Sequence, residues 1–361
     1  MDETGRTSYL AALSPGDDID HRGTVFTQEL LSELLDALLD PASKSPRIGN
    51  ADFEEATFTD DSGFYGVTFT GDANFSDASF AGLADFGGVT FTGDADFLDA
   101  SFAGDARFGS ASFAGNAQFG AAFAGEARFD VVTFSRAATF SSATFARSAW
   151  FGGATFTGEA SFGEALFAGD ARFGGATFVE QAEFIDAVFG GKSKFSDARF
   201  TEDVRFDGSR FDTSRSLGPL VCGGTVHLDG AEFGAPVTVE IASVRVSLRR
   251  TRWESTAALR LRYAAVDLAG AMLEHPMTLL TYPTCFISLV DDYLADDVLT
   301  GRDVKVQITS LAGVNAAHLT LTDVDLTGCG SAGVVHLDQL RLEDTTNGGQ
   351  SVGTQNAPPR S

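Results

Sequence analysis

Residues 149–178 read AWFGGATFTGEASFGEALFAGDARFGGATF, with phenylalanine at 151, 156, 162, 167, 173 and 178 in steps that alternate five and six. Working outward, the alternation runs back to Phe53 and forward to Phe211, with one short step of four from Phe119 to Phe123. Thirty of the 33 phenylalanines stand on this ladder, leaving Phe26, Phe233 and Phe286. Ala, Val or Ser sits two residues before nearly every ladder Phe, so the unit is A-x-F-x-G-x-A-x-F-x-x. An eleven-residue period also suits a right-handed helical coiled coil. Steps of five on a helix, however, turn successive rings by roughly 140° and scatter them around the rod. Gly, Thr, Ser and Phe are also weak helix formers. A small residue and a Phe two apart, with a polar residue between them, is the inside-outside-inside pattern of a short strand.

This unit resembles the motif of the pentapeptide-repeat proteins, a small residue, a variable residue, a central Leu or Phe and two more. The resemblance covers about 53–233, and more loosely 253–273 and 319–342. It implies an all-β fold, a right-handed quadrilateral parallel β-helix with one short strand on each of four faces. With steps of five and six, one coil takes 22 residues. Phe134, Phe140, Phe145, Phe151, Phe156, Phe162, Phe167, Phe173 and Phe178 are then stacked core, with the residues just before them outside. Continuing from Phe211 lands on Leu217, Cys222, Leu228 and Phe233, so Cys222 reads as core filler.

A solenoid needs caps over its apolar ends. Residues 1–48 are expected to supply the first through a helix at about 25–39, with Phe26, Leu30, Leu31, Leu34, Leu35, Leu38 and Leu39 on one face and Pro41 after it. Residues 49–235 form the regular β-helix. Over 236–343 an irregular continuation is expected, with Trp253, Ala258, Tyr263, Leu268 and Leu273 as one register and Leu321, Leu326, Ser331, Leu337 and Leu342 as another. An insertion is placed at about 275–305. Residues 344–361 have the composition of a disordered tail.

The chain holds 50 acidic and 25 basic side chains among 361 residues, a net charge of −25, which argues against general nucleic-acid binding. No apolar run is long enough to span a membrane, and the acidic start is unlike a signal peptide, so a cytoplasmic protein is expected. Three distant cysteines and five histidines without ligand spacing suggest neither a disulfide framework nor a metal, and no cofactor motif is present.

Residues one coil apart stack, so surface columns can be read directly. The column Asp72, Asp94, Asn116, Ala137, Glu159, Gln181, Asp203 is acid-rich, and Asp72, Asp94, Glu159 and Asp203 are its candidate binding residues. Arg107, Arg128, Trp150, Arg172 and Lys194 form a second column; Asp105, Glu126 and Asp170 flank it, which points to mutual neutralisation on a solvated face. A basic group, Arg245, Arg249, Arg250, Arg252, Arg260 and Arg262, is a candidate contact for nucleic acid or a carboxylate-rich partner, weighed against ordinary strand surface. Some proteins of the resembling family act as DNA mimics on type II topoisomerases. The resemblance therefore implies a non-enzymatic protein-binding scaffold, with DNA gyrase or another DNA-handling enzyme as partner. Whether it forms a homodimer stays open. The alternative is an enzyme or small-molecule binder with a pocket built by 275–305 against the last coils.

Overall fold

The computed structural model describes residues 3–288 and 293–344. The tail expected at 344–361 lies outside them from 345 onward. The chain divides into two compact units, Met1–Glu183 and Phe184–Ser361, and each is a parallel β-solenoid.

In the N-terminal unit every coil contributes four short strands, one per face. The coil beginning at Ala84 is typical: Ala84–Asp85 on a first face, Thr90–Phe91 on a second, Ala95–Asp96 on a third and Ser101–Phe102 on a fourth. Strands pair in parallel register with residues 22 positions away, for example Thr155 with Thr177 and Phe156 with Phe178, and 21 away across the short step, as Ser101 with Ala122. Thr155 N donates to Val132 O and Thr157 N to Phe134 O, both at 2.8 Å, so the backbone is satisfied between coils. The ladder rings are buried. Phe156 lies 4.7 Å from Phe178 with 1° between planes, and Phe151 meets Phe162 of the opposite face edge-on at 87°. Stacked columns meeting at right angles fill the interior, and each ring contributes roughly 1.5–3 kcal/mol by burial.

Two kinds of corner alternate. The five-residue step places one residue in the left-handed region, such as Asp77 or Asp99. At most six-residue steps glycine stands where the backbone passes close to the coil below: a Cβ on Gly115 would lie 2.3 Å from Gly93 O, although Arg136, Arg147 and Glu180 hold the same position in other coils. At the short step one corner residue is missing and Ala121 N closes directly on Phe119 O at 2.7 Å. The register survives, since Phe102 still stacks on Phe123 at 4.9 Å.

The N-terminal cap has two helices, α1 (Glu3–Ala12) and α2 (Gln28–Ala37). Leu31, Leu34, Leu35 and Leu38 of the α2 region are buried, and Thr27 caps the helix by accepting from Leu30 N. The helix is shorter than the expected 25–39. Phe26 belongs to a strand, Val25–Phe26, and stacks on Phe58 at 5.2 Å, while Leu39 is exposed. His21 takes a ladder position, stacked on Phe53 at 6.0 Å with its Nε2 3.1 Å from the Tyr9 hydroxyl of α1. Neither α1 nor the role of His21 was legible, because α1 buries no residue fully and a lone His carries no period.

In the C-terminal unit the coils shorten. Phe211 pairs with Phe233 across 22 residues, but Phe233 pairs with Trp253, and Trp253 with Leu273, across 20. Longer strands appear, Ser216–His227, Val237–Ser247 and Ala257–Arg262. Leu217, Cys222, Leu228 and Phe233 are all buried, and burial pushes the Cys222 thiol up to about 12. The every-five register after Trp253 is corrected: Ala258 and Tyr263 are half-buried, while Leu259 and Ala264 are buried instead. Tyr263 sits at φ 65°, a corner conformation. Met277–Thr281, inside the stretch expected as an insertion, pairs with Ala257–Leu261 as an ordinary coil strand, so the excursion starts at Tyr282 and ends where Gln307 pairs with Ala265. In the last coil Leu321 is buried, but Leu337 and Leu342 are exposed, as is Ser331, because no further described coil covers them.

Candidate interaction surfaces

The acidic column of the N-terminal unit is held in place by the fold itself. Asp18 Oδ1 accepts from Asn50 N at 2.6 Å, Asn50 Oδ1 from Asp72 N at 3.0 Å, Asp72 Oδ1 from Asp94 N at 2.9 Å and Asp94 Oδ1 from Asn116 N at 2.7 Å. Each side chain thus ties down the corner amide of the next coil, which fixes its rotamer and leaves the carboxylates spaced one coil apart, about 4.8 Å. Glu159 is exposed on the same column. In the C-terminal unit, Asp203 Oδ1 accepts from Thr225 N at 2.7 Å, and Oδ2 lies 3.6 Å from His227 Nε2.

A neighbouring acid column on the same face was missed: Asp20, Asp52 and Asp96 stand on strands paired in register through Asn74. The spacing of 22 between Asp52, Asn74 and Asp96 was the available signal. Arg22 bonds Asp20 at 2.7 Å and holds that carboxyl down at about 2. Shallow depressions lined by Asp18, Asp20, Asp52, Asp72 and Arg22 mark this end of the unit.

The six arginines of the basic group do not form one surface. Arg252 lies 3.1 Å from Glu274 and 3.2 Å from Glu254, Arg260 is 2.9 Å from Glu240, and Arg249 is 3.9 Å from Asp267. Arg245 sits on the strand Val237–Ser247 and Arg250 at a left-handed corner. Arg262 is buried: it meets Asp296 at 3.1 Å and the Tyr263 hydroxyl at 2.8 Å, and its Nε finds no acceptor. The group therefore pairs largely with the chain's own acids.

Arg262 is one clamp on the excursion. The other is Arg199, which donates to Ala295 O at 2.7 Å and to Asp297. Between these clamps Phe286, Leu294 and Leu299 pack with Val221 and Ala242 into a small second core. The described part of the excursion thus lies against the coils, held by charge at Asp296 and Asp297 and by apolar packing at Phe286, Leu294 and Leu299.

On the first face of the N-terminal unit, Arg107, Arg128, Trp150 and Arg172 stand on consecutive coils. The Arg172 guanidinium lies 3.8 Å from the Trp150 ring centre and that of Arg128 5.2 Å on its other side. Arg128 meets Asp130 at 3.1 Å and Arg172 meets Asp170 at 3.2 Å. Asp105 instead accepts from Glu126 N at 3.0 Å, so the flanking acids neutralise this column only in part.

Among the described residues no group of three or more His, Cys, Asp or Glu could hold a metal ion, and no helix is long and apolar enough to cross a membrane. A family model described as pentapeptide repeats, in nine copies, matches residues 53–101, 75–122, 119–166 and 140–187. No curated protein and no solved structure matches the chain.

Proposed function

We propose that this pentapeptide-repeat protein is a non-enzymatic scaffold that binds another protein through the acid-bearing third face of its N-terminal unit. The observation that carries the reading is the run of side chains in which Asp18, Asn50, Asp72 and Asp94 each fix the next by a backbone hydrogen bond. Such carboxylates lose little further rotamer freedom on binding, so a complementary cationic surface gains more from each contact. Asp18, Asp72 and Asp94 together with Asp20, Asp52 and Asp96 place six carboxylates on four coils, or about one per 3.2 Å along the stack. One strand of duplex DNA carries one per about 3.4 Å. That density supports the finer reading of a DNA-handling partner, a type II topoisomerase such as DNA gyrase, with the face standing in for phosphates.

The test replaces Asp72 and Asp94 by Asn and Glu159 by Gln, which keep an acceptor oxygen while removing charge. A salt-sensitive complex with gyrase, and inhibition of supercoiling lost in this variant, is the expected result. Equal inhibition by the neutral variant would overturn the acid-face reading. Binding to a different cationic protein with gyrase untouched would retain the scaffold and remove the topoisomerase.

A further inference from the structure

We propose that the ridge Arg107–Arg128–Trp150–Arg172 is a second docking surface, one that takes an acidic α-helix of a partner protein laid along the stack of coils. This surface is independent of the acidic face and opposite to it in sign. In a chain with twice as many acids as bases, it is where three guanidiniums and an aromatic ring stand on four consecutive coils. Its neutralisation is incomplete. Arg107 has no ion pair among the described residues: Gly109 stands where Asp130 serves Arg128, and Asp85, on the adjoining strand, spends Oδ1 on Gly87 N at 3.0 Å. Trp150 Nε1 and Arg172 Nε are buried without an acceptor. The pairs at Arg128 and Arg172 are partly exposed, and such pairs are weak enough for an incoming carboxylate to share.

The surroundings let a partner approach. The corner before this face carries the exposed Ala103, Ala124, Ala146 and Ala168, and the corner after it carries Gly109, Gly152, Gly153, Gly174 and Gly175. Apart from Arg147, exposed in the first of these corners, and Asp130 in the second, the margins are low beside the ridge, and Val131, 63% exposed, adds an apolar contact. Pitch selects the partner's conformation. Guanidiniums on adjacent coils are about 4.8 Å apart. A helix presents one face every turn, about 5.4 Å, whereas an extended chain repeats a side at about 6.6–6.8 Å. Over three steps the helix falls out of step by only about 2 Å, within reach of an Arg side chain. Nucleic acid is disfavoured because Asp105, Glu126, Asp130 and Asp170 lie alongside, and a continuous phosphate backbone would have to pass them. A helix can place its carboxylates between them.

Trp150 is a built-in reporter, since the other tryptophan, Trp253, is buried on Phe233 in the C-terminal unit. The full-length chain is titrated with a capped helical peptide bearing Glu once per turn on one face, and indole emission is followed. A saturable change is expected, at least tenfold weaker for the variant carrying Arg107→Ala and Arg128→Ala, and weaker still as salt rises. A peptide of the same composition broken by two prolines is expected to bind at least tenfold less well. No saturable change, equal binding by the double variant or by the broken peptide, or equal binding of a single-stranded oligonucleotide of matched charge would each overturn the proposal. Asp72→Asn and Asp94→Asn leave this titration unchanged, so its failure and that of the acid-face reading are separable.

Discussion

The coils from Phe53 to Phe178 and those from Val237 to Leu321 are the same architecture filled in two ways. In the first, four stacked rings line a coil of 22 residues, and at most second corners a glycine such as Gly115 lets the backbone pass. In the second, Val, Ile and Leu replace the rings, the corner glycines Gly223 and Gly224 have no counterpart in Val237–Ser247, and the coil shortens to 20 residues. The comparison teaches that the coil shortens at its corners and not through its filling. The coil from Phe211 to Phe233 is already filled by Leu217, Cys222 and Leu228 and still takes 22 residues. One residue is lost at each of the two corners, after Leu217 and after Cys222, where the next strand runs straight through.

The largest effect expected from breaking the ring-filled region is at its centre. Phe162→Ala removes a ring that touches Phe140 at 4.8 Å and Phe151 at 5.3 Å, and is expected to cost about 3–5 kcal/mol by denaturant unfolding. Leu259→Ala in the aliphatic region removes less volume and is expected to cost about 2–4 kcal/mol. Next comes Gly115→Ala, where the added methyl meets backbone; a loss of about 1–3 kcal/mol is expected in the same measurement.

These two regions also differ in how far they could be read from sequence. The ring ladder fixed strand phase, coil length and inside from outside, because Phe at every fifth and sixth position leaves one interpretation. Beyond Trp253 the phase slipped by one residue at Leu259 and Ala264. The reason is physical: Val221 and Ala242 point outward yet are buried beneath Leu294 and Leu299, so both sides of these strands are apolar and the alternation that marks a half-buried strand is lost. The candidate acid column was legible as a column, but not the backbone hydrogen bonds that lock it, nor its neighbour at Asp20, Asp52 and Asp96. The split of the basic group among separate partners required the structure.

A smaller effect is expected at the N-terminal cap. Burial holds the His21 imidazole below its usual value against the opposing pull of Asp20. The unfolded chain therefore binds the proton more readily. Stability associated with His21 is present above its unfolded value near 6.5 and is lost as pH falls below it. Amide protection factors in α1 and α2, taken relative to the intrinsic exchange rate at each pH, are expected to fall between about pH 7 and pH 5, and His21→Phe to remove that dependence. Unchanged protection across this range would break the assignment. The smallest effect is Thr155→Ala on the outer surface, expected to cost under about 1 kcal/mol.

The most direct test of the two coil lengths is cross-linking between neighbouring coils, in a chain whose Cys222, Cys285 and Cys329 are replaced by Ser. Paired strands bring Cα atoms within the roughly 4.4–6.8 Å that a disulfide spans. The account predicts that cysteines at Thr133 and Thr155, 22 apart, and at Arg252 and Met272, 20 apart, both close on mild oxidation. Cysteines at Thr133 and Gly153, or at Arg252 and Glu274, are predicted to stay reduced. Closure of either exchanged pair in place of the matched one would contradict it.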